Sequence, residues 1–568
     1  MQQPMNFLSK FITLAGPFWN SENKAVIRGQ SLTLVALTIL QIGLAVVINE
    51  WNAALFNALE QRSMPGLLTQ ISLLALIFMV SMAVTATHLM IKRRLQISWR
   101  SWLTTKVTEQ WIHKGRHYQV THIQSAGHDN PDGRIAEDIA IATENAIGLC
   151  HSLFYSLLML ISFTQILWTL SGTVTLNLIG VPIPIVGHLV WIAIVYAVSA
   201  STLGWWIGQP LTIATNEKQN AEANYRFGLV KVRENSQAIA LINGENNEKI
   251  RLSGLLNAVV GTFNQQTQAW KQIMLFTSGY SVLSMAFPIL LSSPRYILGS
   301  ITLGALMQSA QAFQQMASAL SWPVDNMAGV AQWRASVERV LSLVQALDDL
   351  KQEIARPDPQ RIVVEKGAFS ILSFEHLCIR KLNDDVIAQN INADIKLGER
   401  VLILGDAATG AKLFKAIAGL WPWGNGRIVL PDGDPMFFMP PLPYLPDGTL
   451  REAICYPAAP AFFNQKLLQQ SLKRADLSDL IEQLDQQDTW EKVLSREQQQ
   501  RLGLVRLLLN RPKWILLQEA FDALDATGEA EMMRMIFEEL PDAGVLTVTN
   551  HCAPEGECAN VHQRQLIL

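Results

Sequence analysis

Charge is scarce in this chain. Of its 568 residues only 16% are Asp, Glu, Lys or Arg, against about 25% in soluble domains, while 49% are hydrophobic. So little polar material cannot cover a protein of this size in water, which points to a membrane and its lipid as solvent. An excess of positive charge is also missing. The net charge is −3, which removes the basic field that nucleic-acid partners require, so none is expected. The five cysteines, Cys150, Cys378, Cys455, Cys552 and Cys558, show no CxxC spacing. They form neither a disulfide framework nor a metal knuckle, and no metal site is expected. The N-terminus lacks the charged, apolar and small-residue order of a cleaved signal. Phe7, Phe11, Ile12, Leu14, Phe18 and Trp19 instead predict a short amphipathic elbow helix at the membrane interface over residues 1–25.

What is present is a set of long apolar runs. Crossing the roughly 30 Å hydrocarbon layer takes about 20 apolar residues, and six segments meet or approach that length: 30–49, 67–91, 147–170, 184–207, 272–292 and 298–321. The sixth, SITLGALMQSAQAFQQMASALSW, is rich in Gln and small residues, the composition of a helix that faces other helices or a wet cavity. Basic residues collect after the second run, at Lys92, Arg93, Arg94, Arg100, Lys106, Lys114, Arg116 and Arg134, whereas SGTVTLNLIGVP between the third and fourth has no charge. Positive residues stay on the cytoplasmic side, so both termini are predicted there. The polar stretches 92–146 and 208–271 are helix-friendly and predict stalks that continue the spans. A transmembrane unit is thus expected over 26–345, a linker over 346–366 with two prolines in KQEIARPDPQRIVVEKG, and an alternating α/β domain over 367–568.

NPDGRIAEDI at 130–139, AEANYR at 221–226 and SITLGALMQSAQAF at 300–313 resemble segments of the ABCD-type transporters and the related SbmA/BacA-type uptake proteins of bacterial inner membranes, and the resemblance covers nearly the whole chain. It implies a six-helix, type IV exporter-like transmembrane domain fused to an α/β P-loop nucleotide-binding domain. It further implies a multi-pass inner-membrane half-transporter that works as a homodimer on peptides, bleomycin-like compounds or cobalamin, with ATP and Mg as cofactors.

The motifs of that second domain depart from the family pattern. A phosphate loop needs G-x-x-x-x-G-K-[S/T], so that backbone amides surround the phosphates, Lys reaches the β and γ phosphates and a hydroxyl holds Mg²⁺. After the strand VLILG, Gly405 and Gly410 keep their spacing, but Ala411 stands at the Lys position and Lys412 at the hydroxyl position, with one residue missing before LFKAIAGLW. The resemblance places Pro441 where the family has the Q-loop Gln, Glu497 where the signature has Gly beside Ser495, and Gln518 where Walker B has its Asp. Glu519, the candidate general base, and His551, at the switch position, are retained as vestigial catalytic residues. Phosphate loop and signature sit in opposite subunits of an ABC dimer, so a normal partner would still leave each site with a damaged element.

Three readings stay open at this stage. The transporter draws on the proton gradient, as SbmA/BacA-type proteins are thought to do, with Glu137 and Glu222 as proton-coupling candidates. Alternatively, Lys412 and Glu519 support residual ATP hydrolysis in a conventional ATP-driven transporter. In the third reading the chain is a receptor or regulatory subunit that does not transport.

Overall fold

The computed structural model describes residues 7–122, 130–178, 181–355, 361–381, 385–433, 436–548 and 562–567. Two compact units emerge: Met1–Glu109 with Asn130–Val344, and Gln110–Asp129 with Gln345–Leu568.

The first unit is helical. Among the described residues, five helices are long and apolar enough to cross a membrane: Lys24–Glu60, Met64–Thr121, Pro131–Ser171, His188–Glu234 and Glu245–Ile297. Their apolar side chains are largely uncovered by protein, as lipid-facing residues are. These helices run far past the hydrocarbon thickness, because the described residues of the polar stretches after the second and fourth spans are largely helical, with a kink at Lys114 and turns around 235–244. The sixth expected span forms Leu303–Leu320, a shorter and less apolar helix because of its glutamines. Its small residues let it pack centrally, with Gly304, Ser309, Ala310, Ala312, Phe313 and Ala317 all buried. Thr302 caps it, its hydroxyl accepting from the Ala305 N–H at 3.2 Å. One departure from expectation lies before the fourth span, which begins at His188 rather than 184. Thr173–Leu178 and Val181–Val186 pair as antiparallel strands; two prolines in VPIPIV keep that apolar segment out of the helix.

The N-terminal segment folds as a helix, Phe7–Ala15, followed by a tight turn, Gly16–Asn20. Phe18 is buried and stacks on Trp99 at 6.0 Å, with Trp19 and Trp102 around it, while Phe11 meets Trp333 edge-on at 5.1 Å. Such ring contacts each add about 0.5–1.5 kcal/mol beyond area burial, enough to hold a nine-residue helix that would not persist alone.

Among its described residues the second unit carries two larger sheets and a short two-stranded pairing of Gly448–Thr449 with Gln487–Asp488. Five parallel strands lie in the order Arg564–Ile567, Arg400–Leu404, Gly544–Val548, Trp514–Gln518, Met436–Met439. Four more, Val363–Lys366, Gly424–Leu430, Ile371–Arg380 and Val386–Lys396, form a mixed sheet. The central parallel strands are near-continuous apolar runs because both their faces are covered. The first ten residues of the expected linker are instead the end of a helix, Met327–Ala355, whose apolar stripe, Val337, Val340, Leu343, Leu347 and Leu350, is buried.

Candidate functional site

In doubly wound α/β sheets, ligands bind beyond the carboxyl ends of the strands, and the motif residues gather there. The Arg400–Leu404 strand ends at Gly405, whose φ of 150° suits only glycine. Helix Ala407–Ile417 then starts at once, with Asp406 alone between. The Asp406 carbonyl accepts from the N–H groups of Thr409 at 2.9 Å and Gly410 at 3.1 Å, so these amides are occupied within the first helical turn. Gly410 packs against the sheet: a Cβ there would stand 2.6 Å from a Val548 methyl. Its smallness thus serves close helix-to-strand contact. Lys412 directs its ammonium over the Trp421 ring, 5.7 Å from the centroid. Ala411, beside it, is half-buried.

The neighbouring motifs are held by one another. Gln518 ends the Trp514–Gln518 strand, and Glu519 follows with a φ of 46°, a costly conformation for a residue with a Cβ. The Glu519 N–H donates to the Val548 carbonyl at 2.8 Å. Asp525 then caps helix Ala526–Glu539 by accepting from the Gly528 N–H at 2.8 Å. That amide and the Thr527 hydroxyl hold the Asp525 carboxyl below the usual carboxylate range.

Ser495 begins helix Arg496–Asn510 with a capping box: its hydroxyl accepts from the Gln498 N–H at 3.2 Å, and its own N–H donates to the Gln498 side chain at 3.0 Å. Glu497 pairs along the helix with Arg501 at 2.9 Å. From the same helix the fully buried Gln500 donates to the Pro441 carbonyl at 2.9 Å and to Asp522, and accepts from the Ala523 N–H at 3.0 Å. Pro441 therefore takes part through its backbone alone. Arg506, further along, donates to the carbonyls of Tyr444, at 2.7 Å, and Ala453; burial pulls its guanidinium down to about 10.

The structure places Gly405 just past one strand end, Gln518 at the end of another and Ser495 at a helix start, and Gln500 links the Pro441 carbonyl to the turn at Asp522 and Ala523. Gln500 itself went unnoticed, although a Gln in an otherwise apolar helix face is a visible signal. His551 lies outside the described residues. Of the two carboxylates proposed for protons, Glu137 is exposed and Glu222 is an exposed stalk residue 3.6 Å from Lys218. The buried carboxylate is the next residue, Asp138, which accepts from Arg339 through both oxygens at 2.6 and 2.7 Å. Within the second unit, the short helix Arg116–His122 meets the far end of the Ala407–Ile417 helix: Lys415 lies over the Tyr118 ring at 5.5 Å, and Gln119 donates to the Gly419 carbonyl at 3.4 Å.

The comparisons with known proteins agree with this architecture. Residues 17–297 match the family "ABC transporter transmembrane region 2", and residues 388–522 match the family "ABC transporter". An uncharacterised ABC transporter ATP-binding protein of Synechocystis is 31% identical over 84% of this chain and 70% of its own length. The chain belongs to the ABC transporters. This transporter is also 28% identical to the inner membrane ABC transporter ATP-binding protein YddA of Escherichia coli, over 96% of this chain and 95% of that protein. It is 25% identical to the human lysosomal cobalamin transporter ABCD4, over 94% and 90% respectively. A bacterial Atm1-family ABC exporter, solved with ATP bound, has the same fold, with a TM-score of 0.68 at 16% identity over 96% of this chain and 94% of that one.

Proposed function

We propose that the chain is a homodimeric inner-membrane transporter of peptides or peptide-like and cobalamin-like compounds, in which ATP hydrolysis is impaired and the proton gradient drives transport. The observation that carries this reading is the two-residue junction between the Leu404 strand end and the Ala407 helix start. A phosphate cradle needs free backbone amides converging on one point and a cation reaching in. Here the Thr409 and Gly410 amides bond Asp406, and Lys412 lies on Trp421. Gln518 offers an amide where Mg²⁺ favours carboxylate oxygen, and Glu497 adds negative charge at the signature. ATP and Mg²⁺ do not fit this set of residues, so Glu519 has no placed phosphate to act on. In this reading residues 1–25 are the interfacial elbow, both termini are cytoplasmic, and the second unit is kept as a dimerising or regulatory scaffold.

ATPase assays on the full chain in nanodiscs test it. Turnover is expected at background and unchanged in Glu519→Gln; robust turnover abolished by that substitution overturns it. The retained Glu519, and Ser495 at its helix start, favour one second reading, a residual ATP-driven transporter, which the same assay detects. Uptake of a labelled peptide into proteoliposomes under an imposed pH gradient is expected in the absence of ATP. No uptake under either condition leaves a receptor or regulatory subunit.

A further inference from the structure

Two histidines from distant parts of the sequence meet inside the helical unit. His88, on helix Met64–Ile112, is 7% exposed, and its Nε2 lies 2.8 Å from the Nε2 of His151 on helix Ile139–Ser171, with ring centroids 4.5 Å apart. The pair borders a cavity of about 440 Å³ that Gln41, Ser81, Thr85 and Tyr155 also line. Ionisable side chains are rare inside membrane spans and mark functional positions when they occur. Gln41, Ser81, Thr85 and Tyr155 place polar atoms beside the rings in this open, otherwise apolar groove, and water bonded to them gives the rings a route for protons.

The 2.8 Å contact constrains the protons. A neutral imidazole has one N–H and one lone pair, so a bond between two Nε2 atoms places one N–H between the rings. The donor ring then has a free lone pair on Nδ1, and a further proton from cavity water adds there. The product is an imidazolium donating to a neutral imidazole, a charge-assisted hydrogen bond stronger than the neutral one. A second added proton would put two cations at hydrogen-bond distance and break the contact. The groups that face the pair are Lys92 on the second span, Tyr155 and Ser152 on the third and Gln41 on the first. Lys92, on the same helix as His88, places positive charge near both rings. Ser152 is engaged by the Trp322 indole N–H at 3.0 Å, which ties the third span to the segment after the sixth.

We propose that His88 and His151 form a single-proton site, loaded from the cavity, whose occupancy sets how tightly the second and third spans are joined. Binding the proton strengthens the bond between the helices, and separating the helices releases it. No heavy-atom bond changes. The role of this site in transport rests on the gradient-driven reading above; its existence does not.

The test has two arms on the full chain in lipid. In the first, ¹⁵N-histidine NMR across pH 5–8 follows the ring nitrogens. The two rings are expected to titrate as one group that takes up a single proton, and in His88→Gln, which keeps a hydrogen-bonding side chain of similar length, the remaining ring is expected to titrate alone. Two independent titrations in the unmodified chain overturn the proposal. In the second arm, gradient-driven peptide uptake is compared among the unmodified chain, His88→Gln and His151→Gln, all confirmed as folded dimers by size-exclusion chromatography. Uptake is expected to fall about tenfold or more in both variants, the effect of moving one proton equilibrium by a pH unit. Unchanged uptake in both overturns the coupling role. If the unmodified chain shows a shared proton but no gradient-driven uptake, the energy source proposed above fails while the proton site stands.

Discussion

The junction after the Arg400–Leu404 strand and the junction after the Trp514–Gln518 strand leave the same edge of the same parallel sheet. The first is Gly405 and Asp406 alone; the second runs over residues 519–525. The long junction is held from within the protein. Glu519 keeps its strained backbone against Val548, Asp522 is bonded by Gln500 and Arg496, and Asp525 caps the next helix. In the short junction Asp406 accepts from the Thr409 and Gly410 amides and the Thr409 hydroxyl of the helix it begins. In a phosphate loop the backbone amides are satisfied mainly by the ligand, so such a loop has little reason to persist as an open turn without one. Elements whose bonds are internal keep their geometry for the sake of the fold; elements whose bonds are to a ligand do not.

The largest effect expected from breaking this contrast comes from rebuilding the short junction. Replacing residues 405–412 with G-x-x-x-x-G-K-S and inserting one residue before Leu413 should create a site that Mg-ATP stabilises by about 2–3 kcal/mol at a hundredfold excess over Kd. Thermal unfolding of the full chain with and without Mg-ATP reads this, and the unmodified chain should show no shift. Next is the hub of the long junction. Gln500→Ala removes bonds to Pro441, Asp522 and Ala523 in a fully buried place, and should cost about 2–3 kcal/mol, measured as a fall in Tm. Gly410→Ala sharpens the packing role given to that glycine. Its new methyl presses on Val548 and should cost about 1–3 kcal/mol, with no change in nucleotide response, whereas a phosphate-binding glycine would alter that response.

The smallest effect is at Asp525. Its carboxyl is held below the usual range chiefly by the Gly528 amide, then by the Thr527 hydroxyl. A lowered carboxylate value stabilises the fold above the unfolded-state pKa, about 3.9, and loses that contribution as pH falls through the lowered value. Asp525→Ala should therefore lower Tm modestly at neutral pH, and the difference should close in acid below that range. A difference that persists at low pH would mean the cap works through shape rather than charge.

Much of this was legible in the sequence, for reasons particular residues make plain. Apolar runs of span length declared the helices, and the stalks followed because the polar stretches after spans two and four contain few helix breakers. VLILG and WILLQ read as buried strands, which puts Gly405 and Gln518 at the carboxyl end of the sheet. The pairing of Thr173–Leu178 with Val181–Val186 was not legible, since VPIPIV has the hydropathy of a span and only its prolines say otherwise. Position on a helix face decided the carboxylates: Glu137 and Asp138 are adjacent in sequence, but helical geometry turns one outward and the other onto Arg339. The histidine pair was hidden because residues 63 apart in sequence meet only when two spans pack in one register.

The aromatic cluster beneath the N-terminal helix has an optical consequence. Trp19, Trp99, Trp102 and Trp333 are four of the 16 tryptophans, the first three around Phe18 and Trp333 against Phe11 in the same cluster. Their emission is sensitive to ring neighbours and to water, so lifting the Phe7–Ala15 helix would shift a sizeable share of the protein's intrinsic fluorescence. The chain thus carries its own label at its N-terminal anchor, and a Phe18→Ala change, which empties the centre of the cluster, would calibrate that signal without any added dye.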